Sequence, residues 1–272
     1  MPDGENMVTD PQLSVTIDPN RPTAARIYDC FLGGTHNFAA DRAVAARACE
    51  LIPEIPQIAR LNRAFVLRAV RHASAQGIRQ FLDLGAGIPA AINVHEAAPG
   101  ARVVYVDRDL TAVLHTREAF GSDPRVAVLQ GDLTDPARIL ADPVLRDLID
   151  FAEPVCLLLA AVLHFVPDSP ALTAALARYR ERAAPGSVLV VSHATSSARA
   201  EELERMADLF SRTGTPLVLR DAHDLAELLG GWQVDAPGIV LGPDWRPDPG
   251  DQPVENPAAY LTLAGVARKE PA

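Results

Sequence analysis

The segment Gln80-Phe81-Leu82-Asp83-Leu84-Gly85-Ala86-Gly87-Ile88-Pro89-Ala90 carries an apolar strand straight into a glycine-rich turn, with an acid set just before it. Gly85 and Gly87 let the backbone turn tightly and approach a ligand closely. The residues that follow are expected to open a helix whose free N–H groups face the bound molecule. This is the pattern of a nucleotide-type cofactor site.

The rest of the chain builds a rhythm around that junction. From Ile78 onward, short apolar runs alternate with helical stretches: strand 78–83, helix 89–98, strand 102–107, helix 110–120 and strand 125–130. Strand 154–160, a helix from Pro170 to Ala184 capped by Ser169, and strand 187–192 follow, while Asp135-Pro136 and Asp142-Pro143 each read as an N-cap with proline at the first helical position. Strands separated by single helices predict a parallel, doubly wound sheet. Further on, Ser196 or Ser197 is expected to cap a helix with Leu203, Met206, Ala207 and Phe210 on one face, and a second helix runs from Ala222 to Leu229. A last pair of apolar segments, 233–241 and 259–267, is joined by a proline-rich loop. Before the sheet, the sequence predicts a mobile tail over 1–20 and a helical cover over 21–77, with the cofactor-binding domain spanning 78–272.

Spacing alone leaves two cofactors open. Gly85, Gly87 and Ala90 fit the dinucleotide fingerprint, and Asp107 lies twenty residues beyond Gly87, where a ribose-binding acid belongs. Asp83 separates them: a carboxylate there repels an anionic pyrophosphate but suits S-adenosylmethionine (SAM), which carries a sulfonium and an ammonium.

Asp83-Leu84-Gly85-Ala86-Gly87 resembles motif I of the class I SAM-dependent methyltransferases, with Pro89 standing where those proteins often carry a third glycine. Val103-Val104-Tyr105-Val106-Asp107 is similar to their second strand with its ribose-binding acid. Val126-Ala127-Val128-Leu129-Gln130-Gly131-Asp132 is similar to the third strand, ending in an adenine-contacting Asp. The run from Ala25 to Arg42, with Ala161-Val162-Leu163-His164-Phe165-Val166, resembles a narrower group of actinobacterial proteins described as an "S-adenosyl methyltransferase" family. The resemblance covers roughly residues 20 to 268. It implies a Rossmann-like, seven-stranded α/β sheet whose last strand is antiparallel, with SAM as cofactor, and it brings no agreed substrate.

Bulk composition narrows the acceptor. At 272 residues and 48% hydrophobic, the chain can bury one large core. A formal net charge of −10 argues against a nucleic-acid surface, which needs basic residues for counterion release, and so favours a small molecule. The apolar run 155–166 is too short to span a bilayer and is broken by His164, and the N-terminus has no signal-peptide pattern, which predicts a cytoplasmic protein without a membrane partner. Cys30, Cys49 and Cys156 lack metal-ligand spacing and read as reduced thiols, Cys30 also being a candidate to line the site; no metal is expected.

The residues expected to hold the cofactor are Tyr28, Asn37, Asp83, Gly85, Ala86, Gly87, Asp107, Arg108, Asp132, Leu133 and Ala161. His164, Asp29 and His36 are the candidates for a general base, required only if the acceptor must lose a proton as it attacks. Tyr28 to Phe38 mixes aromatics, polar donors and a Gly pair, which suits a cover over a small-molecule site; a plain turn between packed helices is the alternative. The expected function is SAM-dependent methyl transfer to a small molecule. A non-catalytic SAM sensor and, less favoured, a dinucleotide oxidoreductase are the rivals.

Overall fold

The computed structural model describes residues 17–195, 199–249 and 261–271. Three helices precede the sheet: α1 (Ala24–Leu32), α2 (Ala39–Leu51) and α3 (Ile55–Ala75). Thr23 caps α1 by accepting the Arg26 N–H, and Gly33 ends it in the left-handed conformation at φ 78°. Then come β1 (Gln80–Leu84), α4 (Val94–Ala97), β2 (Arg102–Asp107), α5 (Leu110–Phe120), β3 (Val126–Gln130), α6 (Pro136–Ala141), α7 (Pro143–Leu148) and β4 (Cys156–Ala160). The chain continues through α8 (Pro170–Arg182), β5 (Val188–Ala194), α9 (Ala200–Ser211), α10 (Ala222–Leu229), β6 (Gln233–Val234), β7 (Val240–Leu241) and β8 (Thr262–Arg268).

The strand order is β3-β2-β1-β4-β5-β8-β6, with β7 also on β8. Strands β3, β2, β1, β4 and β5 run parallel, and β8 is antiparallel to its neighbours β5, β6 and β7. Between β1 and β4 the winding reverses, which opens a crevice beyond their carboxyl ends, where open α/β sheets take ligands.

Two corrections follow. The single strand expected over 233–241 is two short strands, so the sheet has eight strands rather than seven. Pro237 has no N–H to donate and Gly238 adopts φ 99°, so the ladder on β8 is interrupted there. The helix expected over 89–98 is confined to Val94–Ala97. Ala90 to Asn93 instead forms a local turn in which Asn93 both accepts the Ala90 N–H at 3.1 Å and donates to its carbonyl at 2.8 Å. Local capping signals agree with the structure: Asp135, Asp142 and Ser169 accept N–H groups at the starts of α6, α7 and α8. The expected tail up to residue 16, the Ser196 or Ser197 cap, and the first residues of the strand expected from 259 lie outside the described residues.

Both faces of the sheet are buried: Leu82, Leu157 and Leu189 on one side, Phe81, Leu158 and Val190 on the other. A third apolar cluster joins Ile27, Phe31, Ala48 and Ile52 of the N-terminal helices to Met206 and Phe210 of α9. That cluster fixes α1 and α2 against the domain. A buried ion pair does the same: Arg26 Nε meets Asp41 Oδ2 at 2.8 Å, and the guanidinium also donates to Thr111 Oγ1 and to the carbonyls of Asp18 and Arg21.

Candidate functional site

A cavity of about 530 Å³ opens at the carboxyl ends of the parallel strands, within the range of small-molecule sites. Its floor is the turn that follows β1. Gly85 (φ 83°) and Gly87 (φ 69°) both occupy the left-handed region, which a residue with a Cβ adopts only at a cost. A Cβ on Gly85 would collide with Val162, whereas a Cβ on Gly87 would meet nothing within 4 Å. Gly85 is thus required by packing, and the space over Gly87 is open to a ligand. Ala86 lines the cavity between them.

Two carboxylates face this floor. Asp83, at the end of β1, is 5% exposed, and burial pushes it up to about 7; the Arg63 guanidinium opposes the shift and Asp107 adds to it. Asp107, ending β2, accepts the Gly87 N–H at 2.7 Å and the Asp109 N–H at 2.8 Å. Burial nevertheless raises it to about 6, against those two hydrogen bonds. Buried carboxylates without a full complement of donors create a demand for cationic or hydrogen-bond-donating ligand groups.

Further along the rim, Asp132 holds Thr134 through its Oδ1, at 2.8 Å from the backbone N–H and 2.7 Å from the hydroxyl, and lies beside buried Leu133. Arg108 lines the same end. Ala161 closes the wall after β4 with φ 51°, a conformation rare for alanine; its N–H is held by the Ser192 carbonyl and hydroxyl at 3.0 Å each. Strain of this kind is concentrated at ligand sites.

The N-terminal helices supply the opposite wall. Tyr28 lines the cavity, its hydroxyl donating to the Ala59 carbonyl at 3.1 Å, and burial raises its pKa. Asp29 also lines it; its Oδ2 accepts the His36 backbone N–H at 3.0 Å and Asn37 Nδ2 at 2.7 Å. The carboxylate also packs closely on Gly34, where a Cβ would displace it.

Four of the expected residues do not line the cavity. Asn37 turns its amide to Asp29 and to the Gly34 carbonyl, so it braces the loop rather than facing the chamber. His36 is exposed and packs on His115, ring centroids 4.1 Å apart. His164 is buried, its Nδ1 accepting the Ala194 N–H at 3.2 Å, and burial, with His193 and Arg220 nearby, pushes it well below the usual imidazole range. His193 donates from Nδ1 to its neighbour's carbonyl and receives Arg220 Nη1 on Nε2 at 2.7 Å, which fixes it as a neutral imidazole. These histidines belong to a buried network that ends in the Arg220–Asp168 pair. Cys30 is half-buried and likewise does not line the cavity.

The structure adds residues that periodicity hid. Asn62 and Arg63 of α3 line the cavity, within the helical cover that the sequence predicts over 21–77 without singling out either residue. Ile17, Asp18 and Arg21 to Thr23, expected as the end of a tail and the start of a helical cover, also line the cavity, as do Thr213 to Thr215. Three buried side-chain atoms around the chamber have no hydrogen-bond partner among the described residues: Asn62 Oδ1, Arg63 Nε and Asp109 Oδ2. Orphaned donors and acceptors, buried carboxylates and an open space above Gly87 fit a ligand such as SAM, which carries hydroxyls, a carboxylate and two cationic centres.

A family model described as S-adenosyl methyltransferase matches residues 10–270. The chain is similar to a solved structure from Thermobifida fusca YX described as a candidate methyltransferase, with 37% identity, 93% of this chain and 96% of that chain covered, and a TM-score of 0.86. It is also similar to a DUF574 family protein from Streptomyces avermitilis MA-4680, with 35% identity, coverage of 93% and 99%, and a TM-score of 0.88. No curated protein matches the chain.

Proposed function

The chain belongs to the S-adenosyl methyltransferase family, and on that premise we propose that it methylates a small molecule held in the chamber beneath the N-terminal helices. When bound, SAM supplies an electrophilic methyl on a sulfonium. The protein's part is to hold the two partners in line, which can account for much of the rate of such a displacement.

The roles divide by wall. In this reading the turn at Gly85 and Gly87 gives the cofactor room, Asp107 takes its ribose, and Asp132 and Leu133 take its adenine. Asp83 offers a negative charge to its cationic end. The short α4, starting seven residues after Gly87, offers no long helix dipole to a pyrophosphate, which also weighs against a dinucleotide.

Asp29 is the proposed base, since of the three candidates it alone lines the cavity. With Oδ2 held by two N–H groups, Oδ1 is the atom available to take a proton from the acceptor. The observation that carries the small-molecule reading is size: with residues of α1, α3 and the segment 17–23 in its lining, the cavity holds about 530 Å³, the scale of a small-molecule site. Among the described residues no helix is long and apolar enough to cross a membrane.

The test is transfer of labelled methyl from SAM across a fractionated small-molecule extract. Protein-dependent label in a low-mass product is expected. Label appearing only in protein or nucleic acid would overturn the reading, and so would tight SAM binding with no transfer to any fraction.

A further inference from the structure

Six aspartates line the chamber against three arginines, Arg21, Arg63 and Arg108, and its described lining holds no lysine, glutamate or histidine. SAM, with two cationic centres and one carboxylate, cancels one of the three excess negative charges, so a formal charge of −2 remains for the acceptor to meet. Asp29 offers the place. It is 6% exposed and lines the chamber; Oδ2 is filled by the His36 N–H and the Asn37 amide, whereas Oδ1 has no hydrogen-bond partner among the described residues. A buried carboxylate oxygen left in this way demands a cation or a donor from the ligand.

The same chamber has an apolar wall, made by Leu32 of α1 with Val162, Phe165 and Val166 after β4. Phe165 is held there by stacking on Phe210, with ring centroids 5.7 Å apart, and by the His164 ring at 4.3 Å. An aromatic ring and a carboxylate in one chamber suit an organic ammonium, which meets the ring through its charge and the carboxylate through its N–H groups. Resting on the reading of this chamber as the site of methyl transfer, we propose that the acceptor is a primary or secondary amine on an apolar scaffold, which binds as its ammonium against Asp29 and is methylated on nitrogen. Asp29 Oδ1 takes one proton from the ammonium. The freed nitrogen lone pair forms the N–C bond as the methyl leaves the sulfonium sulfur, which keeps the electron pair of the broken C–S bond, and the product is again a cation. An anionic acceptor would add to the unmet charge of the chamber, and a neutral hydroxyl would leave it unmet.

Binding tests this without turnover. Phenethylamine at millimolar concentration is expected to raise the melting temperature of the S-adenosylhomocysteine-bound protein, and phenethyl alcohol and phenylpropanoate at the same concentration to raise it less or not at all. Asp29→Asn should lose that discrimination while still binding S-adenosylhomocysteine; if the variant does not fold, the wild-type comparison decides. A shift from the alcohol or the carboxylate as large as that from the amine, or none from the amine, would overturn the proposal. In the labelled-methyl assay, the product should be retained on both cation-exchange and reversed-phase columns, and acetylating the amines of the extract beforehand should abolish it. A neutral or anionic labelled product, or one that survives acetylation, would overturn the amine and leave methyl transfer standing. No label in any fraction would remove methyl transfer itself, and the amine with it. With the labelled fraction as acceptor, the deficit of Asp29→Asn should shrink by about tenfold per pH unit between pH 7 and 9, as the free amine replaces the ammonium in solution. Of the groups within electrostatic reach of Asp29, burial holds His115 below the usual imidazole range and raises the Cys30 thiol to about 11, so neither changes charge in that window. A deficit equal at every pH would overturn proton removal by Asp29.

Discussion

Asp107 accepts the backbone N–H of Gly87 at 2.7 Å, joining the end of β2 to the glycine turn that follows β1. Its other oxygen takes the Asp109 N–H at 2.8 Å, so one carboxylate orders both loops that floor the cavity. Two lone pairs remain for a ligand, the geometry expected of a group that takes two ribose hydroxyls.

Asp107→Ala should therefore weaken S-adenosylhomocysteine by roughly 1.5–3 kcal/mol, tenfold or more in affinity. Asp107→Asn should also destabilise the apo protein, because an amide has one accepting oxygen for two N–H groups, and one of them faces an NH₂. Titration calorimetry and thermal melting check the two effects separately; unchanged affinity in both folded variants would remove Asp107 from the site.

Asp83 makes the apo protein sensitive to pH. Its folded pKa of about 7 lies above the ordinary 3.8, so between those values the folded state holds a proton that the unfolded state has released. Stability must then fall as pH rises toward about 7 and level off above it. Asp107, raised to about 6, contributes in the same direction over a narrower window. Asp83→Asn should flatten most of the slope in melting temperature between pH 5 and 7.5. Cofactor binding should release protons near pH 6.5, seen as a buffer-dependent heat in calorimetry, because a cationic ligand favours the ionised carboxylate.

The two glycines of the turn should fail differently. Gly85→Ala puts a methyl into Val162 and should lower the melting temperature strongly. At Gly87 nothing lies within 4 Å of a Cβ, so Gly87→Val pays mainly backbone strain of about 1–2 kcal/mol while filling ligand space. A folded Gly87→Val protein that has lost S-adenosylhomocysteine binding is the expected result; retained binding would make that glycine merely structural.

Gly34→Ala should mimic the loss of Asp29, since the new methyl displaces the carboxylate from its place between His36 and Asn37. If Asp29 is the base, both Gly34→Ala and Asp29→Asn should reduce methyl transfer far more than cofactor affinity. Full transfer by a folded Asp29→Asn protein would remove the base from the scheme.

His164→Gln is expected to behave as a structural variant. The imidazole receives the Ala194 N–H and does not line the chamber, so its replacement should cost about 1–2 kcal/mol of stability and leave S-adenosylhomocysteine affinity within a few-fold of wild type. Selective loss of transfer rate at unchanged stability would return His164 to the site.

What the sequence alone determined is what depends on neighbours along the chain. The glycine turn, the acid at each strand end, the alternation of apolar runs with helices and the Asp-Pro caps all act over a few residues, so their spacing is readable. The same locality explains the errors. A helix over 89–98 follows from the local pattern because nothing local shows that Asn93 folds back on Ala90, and a single strand over 233–241 follows because the strand's partner, β8, is remote in sequence. His164 and His36 carry chemistry-bearing side chains at suggestive places, yet which way an imidazole points is set by Ala194 and His115, thirty and more residues away. Only the tertiary structure could decide that Asn62 and Arg63 matter. On α3 they are two polar residues among many, and they reach the cavity only because the helix's apolar side packs on one face of the sheet, which leaves Asn62 Oδ1 and Arg63 Nε buried without a partner among the described residues.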